Sequence, residues 1–192
     1  TIEYMRFGSD VVTDSQFIYV AADSLLIKYD ANTLIKTAQV TAPGIRELTI
    51  WNEQILVTRG EYGVTFPSYF QVYDKNTLTM IYQITNISGS CAEVRTLNDT
   101  AYIAVNGFGA LGKLALVDLN SQQLAREIDL GIDGLNPEAV NVQGNRVYTV
   151  NAMDYTNSSI TDLDGATGNF SVKKLGSGGN CSASKLFAGN IY

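Results

Sequence analysis

The segment Tyr73-Asp74-Lys75-Asn76-Thr77 decides the fold, because its pattern returns every 44 residues along the chain. The other copies are Tyr29-Asp30-Ala31-Asn32-Thr33, Val117-Asp118-Leu119-Asn120-Ser121 and Thr161-Asp162-Leu163-Asp164-Gly165. An aliphatic residue lies ten positions after each leading aspartate: Val40, Ile84, Ile128 and Val172. A period of about 40–50 residues with strand-type content is typical of the blades of a β-propeller.

Each repeat contains four short runs rich in Val, Ile, Tyr and Thr, separated by Asn, Asp and Gly, which are the signals of strands and tight turns. We therefore predict an all-β propeller with four-stranded blades of about 44–46 residues. The predicted blades span residues 8–41, 42–87, 88–133 and 134–176, and a fifth begins at 177–192. Segment Thr1–Phe7 resembles a fourth strand. Since propellers protect their edges by closing a ring of blades, we expect the 192 residues to form part of a seven- or eight-bladed ring.

The repeated aspartates fall between the third and fourth strands of each blade. Asp and Asn side chains accept hydrogen bonds from nearby backbone amides and so favour tight turns. A calcium array is the alternative interpretation, but each aspartate lies in a different blade, and calcium needs clustered carboxylates. We predict turn chemistry and no metal.

Composition narrows the range of functions. The chain has no histidine, which excludes catalysis by a Ser-His-Asp or Cys-His set and excludes zinc bound by histidine. The net charge of −6 argues against nucleic acid as a partner. Cys91 and Cys181 occupy matching places two repeats apart, and we interpret them as small core residues rather than a disulfide pair.

The second strands carry a family resemblance. Val147-Tyr148-Thr149-Val150-Asn151, in the fourth repeat, has the counterparts Tyr19-Val20-Ala21 and Tyr102-Ile103-Ala104-Val105-Asn106. In the fourth repeat, Pro137-Glu138 also lies ahead of Gly144-Asn145. Together with the downstream Val-Asp turns, these residues resemble the YVTN-type β-propellers, in particular bacterial surface-layer-type proteins. The resemblance implies an exported protein of the bacterial periplasm or outer surface, often lipid-anchored, with a binding function.

Two sets of candidate residues follow from the propeller prediction, because connecting loops on a rigid scaffold carry function. The loops between second and third strands vary in length and mix aromatic with polar side chains, which suits a glycan or a protein. Their candidate ligand-binding residues are Arg59, Glu61, Tyr62, Asn106, Phe108, Asn151, Asp154 and Tyr155. The residues entering the innermost strands form a candidate channel ring: Arg46, Glu47, Glu93, Arg95 and Glu138. Pairing of these charges across neighbouring blades is the alternative interpretation of the ring.

The sequence thus favours a non-catalytic binding module, without cofactor or catalytic residues, that recognises a glycan or a protein at the channel mouth. A hydrolase of the sugar-lactonase type and a structural surface-array subunit are the alternatives. A quinone-dependent propeller is disfavoured because Trp51 is the only tryptophan. Self-association is expected if the chain forms only part of a ring.

Overall fold

A computed structural model of the chain describes residues 7–177 and 183–192. In these residues, sixteen strands form four antiparallel sheets of four strands each, and two further strands form a short hairpin. Each sheet has its strands in sequence order, as propeller blades do. The β-propeller prediction is therefore confirmed. Over the part of the chain that the structure describes, no helix is long and apolar enough to cross a membrane.

The strands are numbered in chain order. The first sheet contains β1 (Gly8–Thr13), β2 (Phe17–Ala22), β3 (Leu25–Asp30) and β4 (Lys36–Thr41). The second contains β5 (Ile45–Trp51), β6 (Gln54–Arg59), β7 (Phe70–Asp74) and β8 (Met80–Ile84). The third contains β9 (Cys91–Leu97), β10 (Thr100–Val105), β11 (Lys113–Asp118) and β12 (Gln123–Asp129). The fourth contains β13 (Pro137–Gln143), β14 (Arg146–Asn151), β15 (Asn157–Asp164) and β16 (Phe170–Ser177), and the hairpin pairs β17 (Leu186–Phe187) with β18 (Asn190–Ile191).

The chain divides into two compact units, residues 1–85 and 86–192. Unit 1 contains the first two sheets, and unit 2 contains the third and fourth sheets with the hairpin. The prediction of a strand in Thr1–Phe7 falls mainly on residues outside the described part, as does Cys181. Cys91 is buried, with its Sγ 3.5 Å from the carbonyl oxygen of Gly89.

Each unit has its own apolar core between adjacent sheets. In unit 1, Tyr19, Leu26, Leu48 and Ile55 pack together, and all four are fully buried. In unit 2 the corresponding cluster includes Ala104, Leu114, Val140, Val147 and Leu163. The middle strands are buried on both faces and are therefore nearly continuous apolar runs, whereas the fourth strands alternate exposed and half-buried residues.

The repeated aspartates shape the turns between third and fourth strands. Asp74 Oδ1 accepts hydrogen bonds from the backbone N–H groups of Asn76 (2.9 Å) and Thr77 (2.7 Å). Asp30 and Asp118 make the same pair of bonds to the second and third residues after them. The prediction of turn chemistry is confirmed for these three residues.

The fourth turn differs from the prediction. The 44-residue spacing selects Asp162, but Asp164 accepts the N–H groups of Ala166 (2.9 Å) and Thr167 (3.0 Å). The pairing register explains the shift: Asp164 lies opposite Arg146 at the end of β15, as Asp118 lies opposite Thr100 at the end of β11. Asp162 lies inside the strand and forms an ion pair with Arg146 at 2.6 Å. The true spacing of this last repeat is 46 residues.

Adjacent sheets within each unit are joined by a carboxylate of one first strand and an N–H group of the next. Asp10 Oδ2 accepts from Leu48 N at 2.8 Å in unit 1, and Glu93 Oε2 accepts from Val140 N at 2.6 Å in unit 2. These bonds satisfy backbone donors that would otherwise lie unpaired between sheets.

Candidate functional site

Three connecting segments of unit 2 come together at one edge of its two large sheets: residues 106–112, 130–136 and 151–157. We call them the loop platform. The middle segment is bonded to both neighbours, because Asn136 N donates to Leu111 O at 2.8 Å and Asn136 O accepts from Ala152 N at 2.9 Å. Met153 N donates to Leu135 O at 3.0 Å. The platform is thus built by main-chain bonds and not only by side-chain contacts.

Two buried asparagines hold the outer segments of the loop platform. Asn106 accepts from Phe108 N (3.2 Å) with its Oδ1 and donates to Glu138 Oε1 (3.0 Å) with its Nδ2. Asn151 donates to the hydroxyls of Ser159 (2.9 Å) and Thr161 (3.0 Å) and accepts from Thr149 (2.7 Å). Neither side chain is exposed to solvent. These two predicted binding residues lie beneath the surface, where they support the loops.

Asn136 occupies the centre of the platform. Its side chain is fully buried, and neither Oδ1 nor Nδ2 has a hydrogen-bond partner among the described residues. Its backbone is left-handed, with φ of 58°, a conformation that asparagine tolerates better than most residues. Sequence reasoning missed the middle segment: it leads into β13, but only Glu138, beyond its end, was named as a candidate. Its glycines, Gly131 and Gly134, were the available signal.

Aromatic and aliphatic side chains form the exposed part of the platform. Tyr155 is 50 % exposed and Ile132 is 76 % exposed, while Phe108 is half-buried. The Tyr155 ring lies over the Cα of Gly109, where an added Cβ would meet the ring at 3.4 Å. Tyr155 and Phe108 have φ values of 63° and 56°, which cost energy for non-glycine residues. Two predicted aromatic residues from different loops are therefore brought together on this one surface.

Asp154 fixes the conformation of the Tyr155 loop. Its carboxylate accepts from the N–H groups of Asn157 (2.7 Å) and Thr156 (3.0 Å) and from the side-chain amide of Asn157 (2.8 Å). These bonds, led by the backbone N–H of Asn157, lower the pKa of Asp154. Asp154 is exposed, but its oxygens are engaged in the loop, so its first role is to hold Tyr155 in place.

The corresponding loop of unit 1 runs between β6 and β7. Arg59 is buried, donates to the carbonyl oxygens of Pro43 (2.7 Å) and Ser68 (3.0 Å), and lies over the Phe66 ring at 4.5 Å. Tyr62 is 81 % exposed, and Glu61 is also exposed. Glu61 borders a cavity of about 330 Å³ lined by Phe7, Ser9, Asp23, Ser24, Gly44, Ile45 and Gly60. Arg59 therefore braces this loop, and Glu61 and Tyr62 are the two predicted residues of this loop that face solvent.

The predicted channel-ring residues engage in contacts within their own units. Glu93 is buried and paired with Arg95 in addition to its bond from Val140 N, and Glu138 accepts from Asn106. In unit 1, Arg46 and Glu47 are half-buried, and Glu47 N donates to Thr58 Oγ1 at 3.0 Å. The ion pair of Glu93 and Arg95 lies within the single strand β9, so it is not the pairing across neighbouring blades that the alternative interpretation of this set expects. Among the described residues, no three His, Cys, Asp or Glu side chains cluster as a metal site would require.

Comparison with known proteins supports the β-propeller fold. No protein-family model matches the chain, and no curated protein matches it either. Among solved structures, hydrazine synthase from Kuenenia stuttgartiensis matches with a TM-score of 0.78 at 15 % identity over 91 % of this chain and 51 % of its own. BamB from Moraxella catarrhalis matches with a TM-score of 0.64 at 19 % identity over 88 % of this chain and 50 % of its own.

Dihydro-heme d1 dehydrogenase NirN, solved in complex with DHE, matches with a TM-score of 0.67 at 10 % identity over 88 % of this chain and 37 % of its own. This chain thus spans about half or less of the length of these three structures. The three are β-propeller proteins. The TM-scores establish a shared β-propeller fold, and sequence identities this low establish nothing about activity.

Proposed function

We propose that the protein is a non-catalytic binding module whose ligand sits on the loop platform. The observation that carries the proposal is the half-exposed Tyr155 ring, held over Gly109 by a loop that the Asp154 carboxylate braces through three hydrogen bonds. A side chain fixed before binding loses little conformational entropy when a ligand arrives. An aromatic ring presented in this way is therefore a binding group rather than a packing group.

The strained backbone of the platform supports the same proposal. Phe108, Met153 and Tyr155 all have positive φ, and surrounding hydrogen bonds hold them in that conformation. Strain of this kind clusters at ligand-binding positions, where the surrounding structure holds it in place.

The chemistry of the platform suits a glycan or a protein surface. Tyr155 offers an apolar face and a hydroxyl, and Ile132 and Phe108 extend the apolar area beside it. Sugar rings stack on such faces, and protein partners bury them. We place the glycan first because the exposed ring is bordered by the exposed Thr156, whose hydroxyl can bond to the hydroxyl groups of a sugar.

A hydrolase of the sugar-lactonase type is less well supported. Such an enzyme needs a carboxyl group whose pKa is raised towards neutrality. Five aspartates instead have lowered pKa values, each caused first by the backbone N–H of the third following residue: Asp30, Asp74, Asp118, Asp154 and Asp164. These groups are turn residues, and the proposal assigns no catalytic residue or cofactor.

The proposed location is the bacterial periplasm or outer surface. It rests on the sequence resemblance to surface-layer-type YVTN propellers, carried by strands such as Val147-Tyr148-Thr149-Val150-Asn151. A subunit of a surface array is the second candidate function, favoured by the exposed Val11 of β1 and by the exposed Phe7 and Ile35, which directly precede β1 and β4. Exposed apolar side chains of this kind mark contact surfaces.

A glycan array probed with the purified 192-residue chain tests the glycan proposal. We expect binding to a restricted set of glycans and loss of that binding in Tyr155→Ala. Lys173→Ala, an exposed change on β16, serves as the matched control and should leave binding unchanged. No binding to any glycan, or equal binding by Tyr155→Ala, would overturn the glycan assignment.

A further inference from the structure

Unit 1 has a cavity at the place that corresponds to the loop platform of unit 2. One main-chain bond aligns the two units, because in all four large sheets the N–H after the second strand donates to the carbonyl oxygen before the first strand. In this alignment Gly44 of unit 1 is the counterpart of Asn136, and both have left-handed backbone, with φ of 72° and 58°. The donor and acceptor pairs are Asp23 with Phe7, Gly60 with Gly44, Asn106 with Ser90, and Ala152 with Asn136.

The loop after the second strand differs in length between the two units. In the first sheet, Asp23 and Ser24 alone join β2 to β3, whereas residues 106–112 join β10 to β11. The last residue of each loop, Ser24 or Gly112, accepts at 2.8 Å from the N–H that follows the fourth strand, so the ends of the two loops match. Unit 2 therefore has seven loop residues against two, and we call the five additional ones, residues 107–111, the insert.

The insert lies between the two large sheets of unit 2 and contacts both. Asn106 Oδ1 accepts from Phe108 N at 3.2 Å, and Asn136 N donates to Leu111 O at 2.8 Å. The Leu111 side chain lies over Gly89, where an added Cβ would be 2.6 Å from its Cδ1. A short peptide segment thus occupies this place in unit 2, held through an N–H group, a carbonyl group and an aliphatic side chain.

The cavity of unit 1 has corresponding groups in its lining. They are Asp23, the counterpart of Asn106, and Gly44, the counterpart of Asn136. Gly44 N donates to no described residue, and the Asp23 carboxylate accepts from Phe7 N at 3.0 Å through Oδ1. The volume of about 330 Å³ lies within the range of ligand pockets, roughly 300–1,000 Å³.

The N–H of Gly44 is fixed before any ligand arrives. The Phe66 ring packs on Gly44 so closely that an added Cβ would overlap it. Arg59 lies over the same ring at 4.5 Å and donates to Pro43 O at 2.7 Å, which holds the residue before Gly44 as well. A donor held in this way loses little conformational entropy on binding.

We propose that the cavity of unit 1 binds a short peptide segment of a partner protein, in the way that unit 2 holds its own insert. A carbonyl group of the peptide would accept from Gly44 N, and an N–H group would donate to the Asp23 carboxylate. An aliphatic side chain would pack against Phe7 and Ile45, the apolar residues of the lining. This second site uses none of the residues of the loop platform.

Charge favours a basic peptide as the occupant. Asp23 and Glu61 both border the cavity, and both are exposed. The matching positions in unit 2 hold the uncharged Asn106 and Met153. Among the described residues, the lining contains no lysine or arginine. A lysine or arginine of the peptide would therefore meet two carboxylates that have no competing cation in the cavity.

A phage-displayed library of short random peptides, selected on the purified chain, tests the proposal. We expect the selected peptides to combine an aliphatic residue with a lysine or arginine. Synthetic copies, titrated into ¹⁵N-labelled protein, should shift the amide resonance of Gly44 and leave that of Gly134, in the loop platform, unchanged. Failure to select any peptide would overturn the proposal, as would selected peptides that leave the Gly44 resonance unmoved.

A charge reversal tests the preference for a basic peptide. Glu61→Lys should weaken binding of a selected peptide about tenfold in calorimetric titration, because a like charge then meets its basic residue. Asp99→Lys reverses an exposed charge in a turn of unit 2 and should leave the affinity unchanged. Equal affinities of the two variants would contradict the site.

A loop graft tests whether the peptide takes the place of an insert. Copying residues 107–111 between Asp23 and Ser24 should fill the cavity and abolish peptide binding. The matched control carries the same residues between Asn98 and Asp99, an exposed turn of unit 2, and should bind as the unaltered chain does. Surface loops tolerate such lengthening, and a thermal melt verifies that both variants fold. A folded graft that binds the peptide as tightly as the control would overturn the proposal, and Glu61→Lys decides the matter if the graft does not fold.

Discussion

The turns between third and fourth strands and the loop platform use the same residue types for opposite purposes. In the turns, the carboxylates of Asp74 and its counterparts accept hydrogen bonds from the backbone N–H groups of the second and third following residues. In the platform, Asn106 and Asn151 are buried beneath the surface, and the polar loops above them present Tyr155 and Ile132 to solvent.

This difference separates residues that build the blade from residues that are available to a ligand. Side chains that recur at a fixed interval satisfy the backbone of each blade in the same way. Side chains that do not recur give the loops their individual shapes. Four predictions about stability and one about binding test this separation, beginning with the largest expected effect on the free energy of unfolding.

Asn151→Leu should lower the free energy of unfolding by about 2–3 kcal/mol. The change leaves the buried hydroxyls of Thr149, Ser159 and Thr161 without their common partner, and unpaired buried polar groups are costly. Urea unfolding followed by circular dichroism measures the loss. Asn145→Ala, at an exposed turn, is the control and should stay within about 0.5 kcal/mol. If the two variants unfold alike, Asn151 does not anchor the platform.

Asp74→Ala should lower the free energy of unfolding by about 1 kcal/mol, because two backbone donors and the Thr77 hydroxyl lose their acceptor. Melting temperature measures the effect. Tyr62→Ala, which removes an exposed ring from unit 1, should leave the melting temperature unchanged. An equal loss in both variants would contradict the assignment of Asp74 to the scaffold.

The fourth turn gives a sharper form of the same test. Asp164→Asn should lower the melting temperature more at neutral pH than in acid, since Asp164 receives the two backbone N–H groups of the turn. Among the described residues, the Asp162 carboxylate accepts side-chain hydrogen bonds from Arg146 alone, so Asp162→Asn should lower the melting temperature less. A larger effect of changing Asp162 than of changing Asp164 would show that Asp162 forms the turn, as the 44-residue spacing predicts.

Acid should weaken the turns. The pKa values of Asp30, Asp74, Asp118 and Asp164 are lower in the folded protein than the ordinary value of about 3.9. Groups with lowered pKa add stability above the unfolded-state value, and that stability is lost as pH falls through the folded-state value. We expect a flat stability profile from pH 7 to about 5 and a decline below about 4. A maximum of stability below pH 4 would contradict it.

The sequence was sufficient to predict the blades, because a repeat shows which residues have equivalent surroundings. It misplaced the fourth turn by two residues, since the segment from Asp118 to Arg146 is two residues longer than the segment from Asp74 to Thr100, and only the strand register identifies Asp164 as the residue opposite Arg146. The four-stranded sheets themselves follow from strand patterns that each blade contains locally.

The binding residues were harder to predict from sequence. Arg59, Asn106 and Asn151 have the residue types of ligand contacts and stand beside exposed aromatic residues in the chain, but all three are buried. Their burial depends on contacts with Pro43, Glu138 and Thr161, which are 10 to 32 residues away in sequence. No local pattern reveals such contacts, and the same is true of the central position of Asn136.

Tyr155→Ala tests the separation of scaffold and binding surface most directly, with binding and unfolding measured on the same preparation. The ring is half exposed and the residue has positive φ, so its removal should change the free energy of unfolding by no more than about 0.5 kcal/mol. Binding to a glycan identified on the array should fall about tenfold, as expected for a lost stacking contact. A clear loss of stability with unchanged binding would show that Tyr155 belongs to the scaffold and would contradict the proposed function.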